Sequence, residues 1–260
     1  MTGLIRTTIE NGIGTLIFDH EARRNAITGE MWDAIPPAVA ELEASDDVRV
    51  VVMRGAGEVA FVSGADISEF EQSRIGAAAA EYDKRNALAF AALSSLTKPL
   101  IASIHGYCVG GGCAIALMAD FRYCADDGVF AIPAAKLGLG YHASGLEALV
   151  DVVGQAKARE MFFTARRFDA EGALQAGLVN QVIAKVELDA YVLQVAEEIA
   201  SNAPLTIASA KLVLGQIRNK HDTPGGEDIK ASIRTCYESD DYAEGVRAFL
   251  EKRSAKFTGR

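Results

Sequence analysis

The stretch Leu100-Ile-Ala-Ser-Ile-His-Gly-Tyr-Cys-Val-Gly-Gly-Gly-Cys-Ala-Ile-Ala-Leu117 decides how this chain is read. Leu100 to Ile104 is short and apolar or small throughout, as expected of a strand covered on both faces. Glycines at 106, 110, 111 and 112 interrupt the run, and Cys113–Met118 then begins a short helix. Consecutive glycines ahead of a helix leave backbone N–H groups unobstructed, and the helix end adds partial positive charge. Such a turn can hold a carbonyl oxygen or an anion, or serve only for close helix–strand packing. The spacing is neither GxGxxG nor GxxxxGK[ST], so dinucleotide binding and phosphoryl transfer have no support. Extended to Ala119, the run approaches a membrane span in length, but His105 and the glycines argue for a buried strand–loop–helix.

The same rhythm recurs on either side. Upstream, Val48–Arg54 reads as a buried strand, followed by a Gly-rich loop through Gly64 and a helix from about Ala77 to Leu96 that Lys98-Pro99 ends. Nearer the N-terminus, Asn11-Gly12 between Ile5–Glu10 and Ile13–Asp19 predicts a type I′ hairpin, because both residues tolerate positive φ. Thr28 caps a predicted helix to about Ala44 with Met31, Ile35, Val39 and Leu42 on one face, and Pro36-Pro37 predicts a break or kink within it. Downstream, Phe121–Cys124 and Val129–Ile132 are short strands. From Ser144 onward helices dominate, at about Leu146–Val153, Ala156–Thr164, Ala170–Ala176, Leu188–Ser201, Leu205–Asn219 and Tyr242–Lys252. The expected fold class is α/β, with a core over residues 1–195 and a C-terminal helical region, 196–260, of the same unit.

Composition narrows the function only by exclusion. The 260 residues are 50% hydrophobic and 23% charged, with a net charge of −9. An acidic chain without a basic stripe does not suit nucleic acid or anionic membranes. Cys108, Cys113, Cys124 and Cys236 form no CxxC pair and read as thiols of a reducing compartment. Met1–Ile9 has no apolar signal core, and a cytoplasmic location is expected. No metal or redox cofactor is indicated.

A second loop, Phe61-Val-Ser-Gly-Ala-Asp-Ile67, also places small residues after a strand. Two such loops matter together, because an oxyanion hole needs two donors aimed at one oxygen. With Asn25-Ala-Ile-Thr28, Lys98-Pro99, Ala176-Gly-Leu-Val-Asn180 and Glu244-Gly-Val-Arg-Ala-Phe-Leu-Glu-Lys-Arg253, these segments make the chain resemble the enoyl-CoA hydratase/isomerase (crotonase) superfamily over nearly its whole length. The resemblance implies a spiral of ββα units, a C-terminal helical trimerisation region giving a homotrimer or dimer of trimers, and acyl-CoA thioester substrates with CoA only as part of the substrate. It assigns the oxyanion hole to the N–H groups of Ala65 and Gly111. It places CoA contacts at Ala65, Asp66, Ile67, Ser68 and, near the C-terminus, Phe257.

The departures from the family pattern carry more weight than the matches. Ala114 and Ala134 stand where a hydratase of the family carries its two glutamates. A methyl group does no acid–base work, so plain hydration is disfavoured, and isomerisation is in doubt with the second position lost. An oxyanion hole without bases still stabilises an enolate formed by loss of CO₂, which makes decarboxylation of a malonyl-type CoA the first expectation. The loop Ala135-Lys-Leu-Gly-Leu-Gly-Tyr-His-Ala-Ser-Gly-Leu-Glu147 is similar to that of the family's methylmalonyl-CoA decarboxylases, which place a tyrosine at Tyr141 but a histidine at Ala65. The family's chlorobenzoyl-CoA dehalogenases use the position of His142 for a nucleophilic aspartate. Tyr141 and His142 are therefore the candidate side chains, to hydrogen-bond a departing carboxylate or protonate the enolate. Alternatively Tyr141 fills the acyl pocket and His142 faces solvent. Cys113 reads as packing, His105 as a structural hydrogen-bonding residue, Asp66 as a loop cap, Glu147 as an outer-face residue, and Arg166-Arg167 as a solvated pair. Two other functions stay open: a hydratase or isomerase using relocated groups, and a non-catalytic acyl-CoA-binding subunit.

Overall fold

Asn11 and Gly12 turn the chain with φ of 52° and 83°, joining β1 (Leu4–Glu10) and β2 (Ile13–Asp19) in the predicted antiparallel hairpin. The computed structural model describes residues 3–69, 77–141, 143–218 and 226–260. After the hairpin come α1 (Gly29–Ala44), β3 (Val50–Gly55), β4 (Ala60–Val62) and α2 (Ala77–Ser95). Next are β5 (Leu100–Ile104), β6 (Tyr107–Val109), α3 (Gly111–Ala116), β7 (Phe121–Ala125) and β8 (Val129–Ala131). The remainder is α4 (Ala134–Leu137), α5 (Ala143–Thr164), β9 (Phe168–Asp169), α6 (Ala170–Gln175), β10 (Gln181–Ile183), α7 (Leu188–Ser201), α8 (Pro204–Arg218), α9 (Glu227–Glu238) and α10 (Asp240–Glu251).

The strands form a six-stranded sheet, β1-β2-β3-β5-β7-β10, and a four-stranded sheet, β4-β6-β8-β9. From β2 to β10 the larger sheet is parallel, and β4, β6 and β8 are parallel to each other. The pairs β3–β4, β5–β6 and β7–β8 each contribute one strand to each sheet before a helix returns the chain, whereas β1 and β2 both belong to the larger sheet. This is the repeating ββα unit that the resemblance implies. Strand alternation divides the interior in two. Val51, Met53, Leu100, Ala102 and Ile104 point into the main core with Phe61, Cys108 and Phe130 of the smaller sheet. Val50, Val52, Ile101 and Tyr123 point the other way, where α7 covers them with Leu188, Val192 and Ala196.

The predicted break at Pro36-Pro37 does not occur. Helix α1 runs unbroken from its Thr28 cap, whose hydroxyl accepts from the Met31 N–H at 3.3 Å. Met31, Trp32, Ile35, Val39 and Leu42 are all buried; at about 1.5–3 kcal/mol each, their burial outweighs about 3 kcal/mol per interior proline. The two helices predicted on either side of Gly154 are present, and α5 denotes both; they meet at a kink where Gly154 takes φ 73° and ψ 165°. The stretch after Pro133, expected as loop, opens with the single turn α4.

Candidate active site

Strands β4 and β6 lie side by side and parallel, with Val62 opposite Cys108. Their ends therefore deliver Ser63–Asp66 and Gly110–Gly112 to the same place. Ala65 is held in extended conformation against Ile27, whose N–H donates to Gly64 O at 2.8 Å and whose carbonyl accepts from the Asp66 N–H at 2.9 Å. Peptide groups alternate direction along an extended chain, so the Ala65 N–H points away from Ile27. Gly111 opens α3. The first helical bond is Ala114 N–H to Gly110 O, 3.1 Å, so the Gly111 N–H precedes any intrahelical acceptor. Neither the Ala65 nor the Gly111 N–H meets an acceptor among the described residues.

The Ala65 nitrogen and Gly111 border the same space. A Cβ built on Gly111 would stand 3.8 Å from the Ala65 nitrogen and 3.4 Å from Cζ2 of Trp32. Gly110 makes the turn at φ 54°, a conformation that favours glycine. Gly112 is required by proximity, since a Cβ there would meet Val62 O at 2.1 Å. Helix α3 thus sits directly on β4, which fixes one donor relative to the other. Trp32 walls the space; its Nε1–H donates to the Tyr82 hydroxyl at 3.0 Å and its ring meets Phe90 edge-on at 5.5 Å. The Trp32–Tyr82 wall went unnoticed in the sequence, where the only tryptophan of the chain is its one visible signal.

The loop is tied down by its own aspartate. Asp66 accepts from the Ser68 N–H at 3.0 Å and the Ser68 hydroxyl at 2.7 Å, with Arg23 at 3.8 Å. Burial works to raise this carboxyl, but the Ser68 bonds and Arg23 outweigh it and hold it below the usual range. Asp66 is therefore an ionised cap of the turn Ile67–Glu69. Arg23 and Arg24, the latter 4.8 Å over the Tyr107 ring, add two cations beside the loop that the sequence did not single out.

Ala114 is half-buried in α3, and Ala134 is buried at the head of α4. The chain reaches Ala134 through Pro133, whose Cδ lies 3.9 Å from a Cβ built on Gly110. Both methyl groups thus lie on segments that adjoin the glycine turn. Glu69 accepts from the Gly29 N–H at 2.8 Å, and Glu147 is exposed on α5. His105 bonds Asp189 at 2.9 Å on the α7 side of the large sheet. Cys113 is buried with Sγ donating to Cys108 O at 2.8 Å, and burial pushes the Cys108 thiol well up. Arg166 pairs with Glu160 and stacks on Phe168 at 4.9 Å.

Tyr141 is half-buried against the main core, its ring edge-on to Phe162 at 5.0 Å. His142 lies outside the described residues. Phe257 stands in a groove of about 650 Å³ between α8, α9 and α10, with Tyr242 and Gly245, rather than among the residues that surround the glycine turn. Among the described residues no group of three His, Cys, Asp or Glu side chains is placed to hold a metal ion, and no helix is long and apolar enough to cross a membrane.

Residues 8–260 match the family model described as enoyl-CoA hydratase/isomerase. The chain belongs to the enoyl-CoA hydratase/isomerase family. Among its relatives, a peroxisomal Delta(3,5)-Delta(2,4)-dienoyl-CoA isomerase of Arabidopsis thaliana is 31% identical, over 98% of this chain and 95% of the relative. A carnitinyl-CoA dehydratase of Salmonella typhi is 32% identical over 92% of each chain. The crystal structure of an enoyl-CoA hydratase/isomerase family protein from Hyphomonas neptunium superposes with a TM-score of 0.94, at 35% identity and 98% coverage of both chains. Family membership covers several reactions, so the chemistry of this member rests on the residues at its own site.

Proposed function

We propose that the Ala65 and Gly111 N–H groups bind the thioester oxygen of an acyl-CoA and stabilise its enolate, and that the enolate arises by decarboxylation of a malonyl-type thioester. The observation that supports this reading is the pairing of two neighbouring, uncommitted N–H donors with methyl groups at Ala114 and Ala134. Hydration needs a base on water and an acid at the α carbon, and neither position supplies one. Decarboxylation needs neither at the bond-breaking step. The C–CO₂ bond breaks, its electron pair moves into the thioester carbonyl, CO₂ leaves, and the α carbon then takes one proton. The Tyr141 hydroxyl is the proposed donor, with His142 as its neighbour in the chain. The loop Ala65–Ser68 receives the CoA moiety, and Arg23 and Arg24 offer cations for its phosphates.

The exposed side chains of Tyr237, Tyr242, Phe249 and Leu250 support assembly through the C-terminal helices, as a homotrimer or dimer of trimers. In that assembly Phe257 would contact CoA from the helical region. A cytoplasmic location is part of the same proposal.

A rival is hydration or isomerisation by relocated groups, favoured by relatives whose names are those of hydratases, dehydratases and isomerases. Separate incubations with methylmalonyl-CoA and crotonyl-CoA, followed by mass spectrometry, decide between them. The proposal expects propionyl-CoA from the first and no hydrated product from the second. Rapid hydration of crotonyl-CoA overturns it, as does tight binding of both thioesters with turnover of neither.

A further inference from the structure

One short stretch at the head of α1 touches both donor loops. Ile27 pairs with Ala65, and just beyond that loop Glu69 accepts from the Gly29 N–H at 2.8 Å. Trp32, later in the same stretch, meets the other loop. The atoms nearest to a Cβ built on Gly111 are Cζ2 of Trp32 at 3.4 Å, then the Ala65 nitrogen and Cη2 of Trp32 at 3.8 Å. Between Ile27 and Trp32 the chain has little freedom. The Thr28 hydroxyl accepts from the Met31 N–H at 3.3 Å, and the Thr28 carbonyl accepts from the Trp32 N–H at 3.1 Å. That makes the stretch a capped first turn of helix, whose dimensions are fixed.

The indole is held as firmly as its backbone. Trp32 and Tyr82 are both buried. The indole Nε1–H donates to the Tyr82 hydroxyl at 3.0 Å, and Phe90 meets the ring edge-on at 5.5 Å, both from α2. The indole nitrogen is a donor only, so this single bond sets how the ring is turned. The turn it backs is the opposite in character. Gly110, Gly111 and Gly112 carry no side chains to lock their backbone. Gly112 is seated on β4, where a Cβ would meet Val62 O at 2.1 Å, whereas Gly111 is flanked on its Cβ side by the Trp32 ring.

We propose that Trp32, oriented by Tyr82, is a positioning residue that holds the Gly111 N–H in place relative to the Ala65 N–H. The inference rests on the reading of these two groups as the oxyanion hole, and it adds the side chains that keep the hole in shape. Trp32 is fully buried and acts through Gly111, without touching substrate. Oxyanion donors work by preorganisation, and a misplacement of about 1 Å costs about 10²-fold in rate. A smaller or re-aimed ring lets the glycine turn relax into the vacated volume. The loss then falls on the transition state, where charge develops on the oxygen, and not on ground-state binding.

The test combines Trp32→Phe, which keeps a ring but shortens it, and Tyr82→Phe, which removes only the orienting hydroxyl, each with Gly111→Pro. The full chain is assayed for kcat and KM on the acyl-CoA that the wild type turns over, with circular dichroism and thermal melting to show that each variant is folded. Trp32→Phe should lower kcat about tenfold or more, and Tyr82→Phe about three- to tenfold, with KM within about twofold of wild type. On the Gly111→Pro background neither should lower kcat further, because the donor they position is already gone. Tyr82→Phe serves alone if Trp32→Phe does not fold, and the split between kcat and KM in the single variants decides if Gly111→Pro does not. A wild type that turns over no acyl-CoA, or folded Gly111→Pro with wild-type turnover, removes the oxyanion reading and this proposal together. Where Gly111→Pro does lower turnover, the proposal alone is overturned if the folded Trp32→Phe and Tyr82→Phe keep wild-type kcat, raise KM instead, or multiply with Gly111→Pro.

Discussion

Replacing Gly111 with proline removes one of the two proposed oxyanion donors at a position where proline is expected to be tolerated. Residue 111 is the first of α3, and its N–H makes no helical bond, while the Ala114-to-Gly110 bond survives. Proline is favoured at a first helical position for this reason. The added ring lies where a Cβ meets Trp32 at 3.4 Å, an ordinary contact. Stability should therefore change little, and the melting temperature should stay within a few degrees of wild type. Turnover should not. Loss of one preorganised donor costs about 2.7–4 kcal/mol, or about 10²–10³ in kcat. The assay is kcat/KM for every accepted acyl-CoA, followed by mass spectrometry, alongside thermal melting. Ala65→Gly is the control, because it removes only a methyl and keeps the N–H; it should stay within about threefold of wild type. Folded Gly111→Pro with wild-type turnover on all accepted substrates refutes the assignment of the hole.

Gly112→Ala places a Cβ 2.1 Å from Val62 O, so α3 must retreat by about 1 Å; kcat should fall about 10²-fold and thermal melts should show about 1–3 kcal/mol of destabilisation. Tyr141→Phe keeps the ring on Phe162 and removes only the hydroxyl, so kcat should fall about 10²-fold if it delivers the proton; an unchanged kcat reduces Tyr141 to a packing residue. Ala114→Glu sets a like charge beside the substrate carboxylate, and KM for methylmalonyl-CoA should rise about tenfold, equivalent to about 1.4 kcal/mol. Glu244 is held at about 2 from an ordinary 4.5, chiefly by its bonds to Arg253 and by the Lys256 N–H. A lowered folded-state value means the tie is fully stabilising above pH 4.5 and is lost as pH falls toward 2. Proteolysis of the C-terminal tail should therefore accelerate through that window, and at neutral pH in Glu244→Gln.

Local chemistry with a short range was legible in the sequence. Asn11-Gly12 carries the positive φ of its turn, Thr28 caps α1, and Leu100–Ile104 and Leu188–Ser201 match their elements residue for residue. The smaller sheet was largely hidden. Strands β4 and β6 are three residues long and β9 two, too short for any period, and they exist through pairing with partners distant in the chain. Helix α9 was missed because its apolar stripe is only Ile229, Ile233, Cys236 and Tyr237 in a polar background. The continuity of α1 through its prolines depends on core burial that propensity does not weigh. At the site, the glycines marked where donors would lie, but not what stands around them. Trp32, Tyr82 and the Ser68 bonds to Asp66 come together only by tertiary packing. His105 meets Asp189 from 84 positions away, which no local pattern announces.

The central claim is that a thioester oxygen is held by two backbone donors with no carboxylate at the reacting carbons. The most direct measurement is a crystal structure of the protein with a malonyl thioester analogue that cannot lose CO₂. The account predicts the thioester oxygen within about 3 Å of both the Ala65 and Gly111 nitrogens, with the methyl groups of Ala114 and Ala134 facing the α and β carbons. A carboxylate side chain within hydrogen-bonding reach of either carbon's substituents, or a thioester oxygen bound away from both nitrogens, would contradict it.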